Sequence, residues 1–262
     1  KPVYSARYIT RTGASMSFEN KTALVTGASA GIGYGIAKAL ADAGAKVIIT
    51  GRNKDKLDKA AIALGGNVTG VVADAAKVAD LRLLFDTIKA DHGGLDVLIA
   101  NAGGGQPIGL MDITEQHVDE TLAWNIKSTI FSVQFALPLM PSGASIVVIG
   151  STASKSPSVG LSVYGAAKAG VRSLVLGWVQ EIKGSGVRIN IVSPGPVRTP
   201  GLEGFFEGDE AEAGFAAMAE MSTVGRIGDT ADIAAAALFL ASDAAGYING
   251  AELFVDGGAA RL

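Results

Sequence analysis

Between Thr26 and Gly33 the chain reads TGASAGIG, directly after the short apolar run TALVT. Gly27 allows a backbone conformation that a Cβ would oppose, Gly31 lets a ligand approach the main chain, and Gly33 lets the next helix pack close to the preceding strand. Ile32, Ile36, Ala39 and Leu40 then continue at helical spacing. A strand turned so tightly into a helix presents the helix's free N–H groups and partial positive charge at the turn, which suits a pyrophosphate. The glycine spacing is not G-x-G-x-x-G, and no Gly-Lys-Ser/Thr follows, so the turn is not a nucleoside-triphosphatase loop.

The rest of the chain repeats this unit. KVIIT (46–50), VTGVVA (68–73), LDVLIA (95–100), SIVVIG (145–150), VRINIVS (187–193) and a last run around 252–255 read as strands. Between them lie helical patterns: NKDKLDKAAIAL, VADLRLLFDTIKAD, a long region from Met111 to about Met140, a stretch through Tyr164, and 229–242. The alternation, about 25 residues per exchange, predicts an α/β, doubly wound, Rossmann-type parallel sheet with helices on both faces and ligands at the carboxyl ends of the strands. Residues 16–262 fit one such domain. Residues 1–15, polar and basic with no apolar h-region, read as a tag or disordered extension rather than a secretory signal. From about 198 to 228 the rhythm fails. Acidic residues and glycines surround Phe205, Phe206, Phe215, Met218 and Met221, and a stretch this long predicts a substrate lid.

Composition removes several classes of function. A net charge of −3 gives no electrostatic case for nucleic acid or an anionic membrane. With no cysteine there is no thiol chemistry and no thiolate metal site, and His92 and His117 lack paired spacing, so no metal is expected. No apolar run approaches the ~20 residues of a membrane span. The expectation is a soluble, cytoplasmic protein.

Tyr164 and Lys168 stand four residues apart in STASKSPSVGLSVYGAAKAG, which begins at Ser151. On a helix the two share a face, so an ammonium can sit beneath a phenol. A free tyrosine titrates near ~10, and a nearby cation would lower that value toward neutral pH, where the phenol can exchange protons. Ser151 follows an apolar strand that would expose it at its end. Ser154 and Ser156 lie close by but lack Ser151's spacing to Tyr164.

Taken in order, TGASAGIG, Asn101-Ala102-Gly103, Asn125, Ser151, Tyr164-x-x-x-Lys168, Pro194-Gly195 and Val255-Asp256-Gly257-Gly258 resemble the short-chain dehydrogenases/reductases over about residues 18–262. The resemblance implies hydride transfer between a nicotinamide cofactor and an alcohol or ketone. It casts Tyr164 as acid/base, Lys168 as its modulator and a ribose ligand, Ser151 as a donor to the substrate oxygen, and Asn125 as holder of a water in a proton path. It also assigns the pyrophosphate to Ser29 and Ile32, beside Gly27, Ala30 and Gly31. Asp74 would take the adenine amine, Asn101 and Gly103 the adenosine ribose, and Val197 and Thr199, after Pro194-Gly195, the carboxamide. Gly150 departs from the family pattern, in which many relatives carry serine.

An acidic residue at the end of the second strand would bind a ribose 2′-OH, whereas arginine favours a 2′-phosphate. The sequence there is Thr50-Gly51-Arg52-Asn53, so NADP(H) is favoured over NAD(H), although Ala30 stands where phosphate-selecting relatives often carry a second basic residue. The apolar side chains of 198–228 suit a small or medium alcohol or ketone. The alternatives are an inactive nucleotide-binding protein and an epimerase on the same fold. By analogy the chain would form a homotetramer through two long helices and the last strand.

Overall fold

Val, Ile, Leu and Ala occupy every position of β1 (Thr22–Val25) after its first residue and all of β4 (Val97–Ala100), and both strands are wholly buried. Such runs form only where helices cover both faces of a sheet. The computed structural model describes residues 16–206 and 210–260; the expected extension at 1–15 lies outside the described residues. With β2 (Lys46–Gly51), β3 (Val68–Val72), β5 (Ser145–Ile149), β6 (Arg188–Pro194) and β7 (Glu252–Val255), these strands make a seven-stranded sheet in the order β3-β2-β1-β4-β5-β6-β7. Every pairing is parallel.

Nine α-helical segments accompany it among the described residues. They are α1 (Gly31–Asp42), α2 (Lys54–Leu64), α3 (Val78–His92), α4 (Glu115–Leu122), α5 (Ser128–Ala136), α6 (Ser162–Glu181), α7 (Pro200–Glu203), α8 (Glu210–Met221) and α9 (Thr230–Ala241). Successive strand residues point to opposite faces, and the core divides accordingly. Val25, Val47 and Ile49 meet α1, α2 and α9 through Ile36, Leu40, Leu57 and Ile233. Leu24, Ile48, Leu98 and Val148 meet α3, α5 and α6 through Leu84, Ile88, Val133 and Val171. Strand order reverses between β1 and its two neighbours β2 and β4, which opens a crevice at their carboxyl ends. Among the described residues no helix is long and apolar enough to cross a membrane.

One expectation is corrected. The region 111–140 is not one continuous helix: α4 passes into a π-helical turn, Ala123–Lys127, before α5 begins. The reason is local. The Asn125 amide donates to the Thr121 carbonyl at 2.8 Å, and the hydroxyls of Ser128 and Thr129 donate back to the carbonyls of Trp124 and Asn125. Side chains thereby compete with backbone N–H groups for carbonyls and loosen the coil. The segment 198–228, read as a lid, carries helices α7 and α8. Thr199 caps the first, its Oγ1 accepting from Leu202 N, with Pro200 in the opening position. Glu210 and Glu212 lie in the first turn of α8, where negative charge is favourable.

Candidate active site

The glycine turn is stapled to the end of β4. Thr26 Oγ1 accepts from the N–H groups of Asn101 and Ala102 at 3.0 and 2.9 Å, and Asn101 Nδ2 donates to the carbonyls of Thr26 and Gly27 at 2.8 and 3.0 Å. Gly31 adopts φ +62°, open to glycine. A Cβ on Gly33 would stand 2.5 Å from Asn101 Nδ2, so glycine there is what admits the clamp. Ala30, ahead of α1, offers no side-chain cap, and the first turn holds no acidic residue. The helix start thus keeps its donors and its partial positive charge for an anion. An uncapped helix start beside a glycine cradle fits a dinucleotide pyrophosphate.

Farther along the crevice the carboxyl ends of β2 and β3 present Arg52 and Asp74. Arg52 is exposed, and its guanidinium carbon lies 5.2 Å from the centroid of the Trp124 ring. Asp74 Oδ1 accepts from Ala76 N, and its own N–H donates to Asp80, so a tight turn fixes the carboxylate at the end of β3. Ser29 packs near Gly51, where an added Cβ would approach its Oγ to 3.2 Å.

Ser151 follows β5, and Tyr164 and Lys168 lie one turn apart on α6. Lys168 is buried; its ammonium lies 5.7 Å from the Tyr164 ring centroid and donates to the Ile149 carbonyl at 2.8 Å. Burial lowers its pKa from 10.5 to about 8. The phenol does not behave as expected. Burial pushes Tyr164 above its ordinary value, and the influence acting in the opposite sense is the Ser151 hydroxyl rather than Lys168. In this state the tyrosine holds its proton, as a general acid must. Asn125 is wholly buried beneath the loop after β4; its Nδ2 donates to Gly104 O at 2.8 Å and its Oδ1 accepts from Gly104 N at 3.2 Å. A Cβ on Gly103 would stand 2.7 Å from that Oδ1, so the glycine run fits the loop to Asn125.

Behind Ser151 lies a buried carboxylate with no counterpart in the sequence reading. Glu252 on β7 accepts from Ser193 Oγ at 2.7 Å and, more weakly, from Ser154 Oγ at 3.5 Å. Arg172 Nε comes within 2.7 Å of its other oxygen, but the approach is misaligned for a hydrogen bond and leaves that oxygen unsatisfied. Gly150 makes room for the Ser193 hydroxyl that bonds this carboxylate: a Cβ there would fall 2.3 Å from Ser193 Oγ.

These elements enclose a cleft of about 530 Å³. Of the expected site residues it is lined by Gly27, Ala30, Gly31, Ile32, Asn101, Gly103, Ser151, Tyr164, Lys168, Pro194, Gly195, Val197 and Thr199. Ser29, Arg52, Asp74 and Asn125 do not line it; the first three continue the crevice past the glycine turn, and Asn125 acts from beneath. The sequence reading missed Leu161 and Ser158, and it set aside Ser156, all of which line the cleft. It did single out Phe205 and Met218, which close one side together with Leu202. A wider groove of about 810 Å³ lies at the amino ends of β5 and β6, but there the Arg188 guanidinium is engaged by backbone carbonyls of Leu240 and Ser242 and no comparable chemistry is assembled.

Comparison with known proteins follows the same lines. The family described as "Enoyl-(Acyl carrier protein) reductase" matches residues 27–260. An oxidoreductase, asL5, from Sarocladium schorii is 38% identical over 92% of this chain and 96% of its own length. The 3-oxoacyl-[acyl-carrier-protein] reductase FabG of Salmonella typhimurium is 34% identical over 93% of this chain and 98% of its own. Among solved structures, a double mutant of a Serratia marcescens short-chain dehydrogenase/reductase superposes with a TM-score of 0.85 at 33% identity, covering 93% of this chain and 99% of that one.

Proposed function

Because the chain belongs to the short-chain dehydrogenase/reductase family of NAD(P)-dependent oxidoreductases, we propose that it interconverts a small or medium, largely apolar ketone and its alcohol, with NADP(H) as cofactor. The observation that carries this reading is the convergence of Ser151, Tyr164 and buried Lys168 on one cleft that continues to an uncapped helix start.

Bound in that cleft, the nicotinamide would supply or accept the hydride. The protein's own groups do the rest. Tyr164 donates its proton to the carbonyl oxygen in reduction and recovers it in oxidation. Ser151 hydrogen-bonds the same oxygen and stabilises the negative charge that develops there. Lys168 uses one donor on Ile149 O and keeps two for the ribose hydroxyls and the phenol side. The ammonium, which would hold the ribose, would favour the phenolate that Tyr164 becomes when it releases its proton. Asn125 anchors the 103–105 loop and serves the proton path behind Lys168.

Gly27, Ser29, Ala30, Gly31 and Ile32 take the pyrophosphate, Asn101 and Gly103 the ribose, Asp74 the adenine, and Pro194, Gly195, Val197 and Thr199 the nicotinamide end. Arg52 takes the 2′-phosphate. The segment 198–228 is the lid of a domain spanning 16–262, and Phe205 and Met218 on it support an apolar substrate. Exposed Leu176 on α6, Phe239 on α9 and Leu253 on β7 support a homotetramer assembled through those elements.

The test is a panel of alcohols and ketones followed by NADPH and NADH absorbance. Tyr164→Phe should lower kcat by about 10²–10⁴-fold while leaving the cofactor dissociation constant nearly unchanged. A variant that keeps most of its turnover removes Tyr164 from the mechanism.

A further inference from the structure

Arg52 and Trp124 come from opposite sides of the crevice. Arg52 follows β2 next to the glycine turn, and Trp124 sits in the π-helical turn of the crossover from β4 to β5, yet the guanidinium lies over the indole at 5.2 Å. In strand order β1 separates β2 from β4, so the contact crosses the carboxyl edge of the sheet beside the turn between β1 and α1. We propose that Trp124 is a positioning residue for cofactor choice: its ring holds the Arg52 guanidinium at the adenosine end of the crevice, where a ribose 2′-phosphate is recognised. This rests on the NADP(H) reading above and extends it to a residue outside the cleft.

The physical argument has two parts. An exposed arginine at a strand end loses much rotamer freedom when it engages a phosphate. An aromatic face that already holds the planar group removes part of that loss and leaves the N–H edge of the guanidinium free to bond a phosphate. The backbone that carries the ring is anchored, because the next residue, Asn125, is fully buried and tied to Gly104 in both directions, and the indole itself is half-buried. One short turn therefore supports two parts of the crevice, with Asn125 holding the loop after β4 and Trp124 facing Arg52.

The experiment is a double-mutant cycle on the full chain, reading kcat and KM with NADPH and with NADH for wild type, Arg52→Ala, Trp124→Ala and the double variant, with Trp124→Phe as the ring-retaining control. Trp124→Ala should reduce the NADPH-over-NADH preference by about two- to fivefold, through KM for NADPH rather than kcat. Trp124→Phe should restore most of that preference, and Trp124→Ala should add nothing once Arg52 is alanine. Equal losses with both cofactors, or an unchanged preference in Trp124→Ala while Arg52→Ala collapses it, would overturn the role of the ring. An unchanged preference in Arg52→Ala would overturn the phosphate reading itself, and the inference with it.

Discussion

Helices α1 and α9 pack against each other on one face of the sheet, close enough that a Cβ on Gly35 would meet Thr230 at 2.7 Å, yet they begin in opposite ways. At α9 the donors are satisfied: Asp229 accepts from Ala231 N, Asp232 accepts from Asp229 N, and Arg226, bonding Asp232, holds that carboxyl down at about 2. At α1 neither a side-chain cap nor a first-turn acid is present. The scaffold helix closes its own end, and the helix proposed to face the cofactor leaves its end open. Lys168 repeats the second pattern, as a buried ammonium whose nearest fixed partner is a single carbonyl. The regions assigned to chemistry give up stability that the regions assigned to support retain.

The largest effect that would test this contrast is at Lys168. The folded protein lowers its pKa from 10.5 to about 8, a depression equivalent to about 3 kcal/mol of destabilisation while the unfolded chain is protonated. Because the folded value lies below the unfolded one, the penalty is complete below pH 8, fades between 8 and 10.5 and vanishes above that window. Lys168→Met should lower turnover by about 10²-fold or more and raise the urea midpoint at pH 7, with the gain lost on titration past 10.5. A variant less stable at every pH would show that the ammonium is already compensated in the free protein.

A smaller effect is expected where α1 is closed artificially. Ala30 is exposed with extended backbone, φ −164°, so Ala30→Asp fits without strain. Its carboxylate would compete with a pyrophosphate for the helix start and weaken cofactor affinity about tenfold, measured by fluorescence titration, with no fall in melting temperature. The smallest change reverses the logic at α9. Asp229→Ala should cost about 1 kcal/mol of stability with kcat/KM unchanged; a drop in kcat/KM would mean that α9 is not merely support.

Much of this was legible along the chain because it depends on short-range pattern. TALVT, KVIIT and SIVVIG became β1, β2 and β5 within a residue or so at each end, since an apolar run bounded by a turn has few other ways to bury itself. The Tyr164-x-x-x-Lys168 pair, Ser151 and the glycine turn were readable for the same reason. The break at Ala123–Lys127 was not, because hydroxyls and an amide redirecting carbonyl bonds leave no period in the sequence. The helices within 198–228 were obscured by glycines, which lower helix propensity, and they take shape where tertiary contacts such as Phe206 edge to face with Phe215 at 5.5 Å hold the segment.

By itself, then, the sequence determined the order of strands and helices, the glycine cradle and the Ser151, Tyr164 and Lys168 set proposed to handle protons, because each depends on neighbours within a turn or a strand. Only the folded molecule decided the surroundings of those groups. Glu252 reaching Ser193 from β7, Trp124 meeting Arg52 across β1, and burial rather than a cation setting the state of Tyr164 all join residues far apart in the chain. Charge and solvation respond to distance in space, and no spacing along the chain encodes that distance.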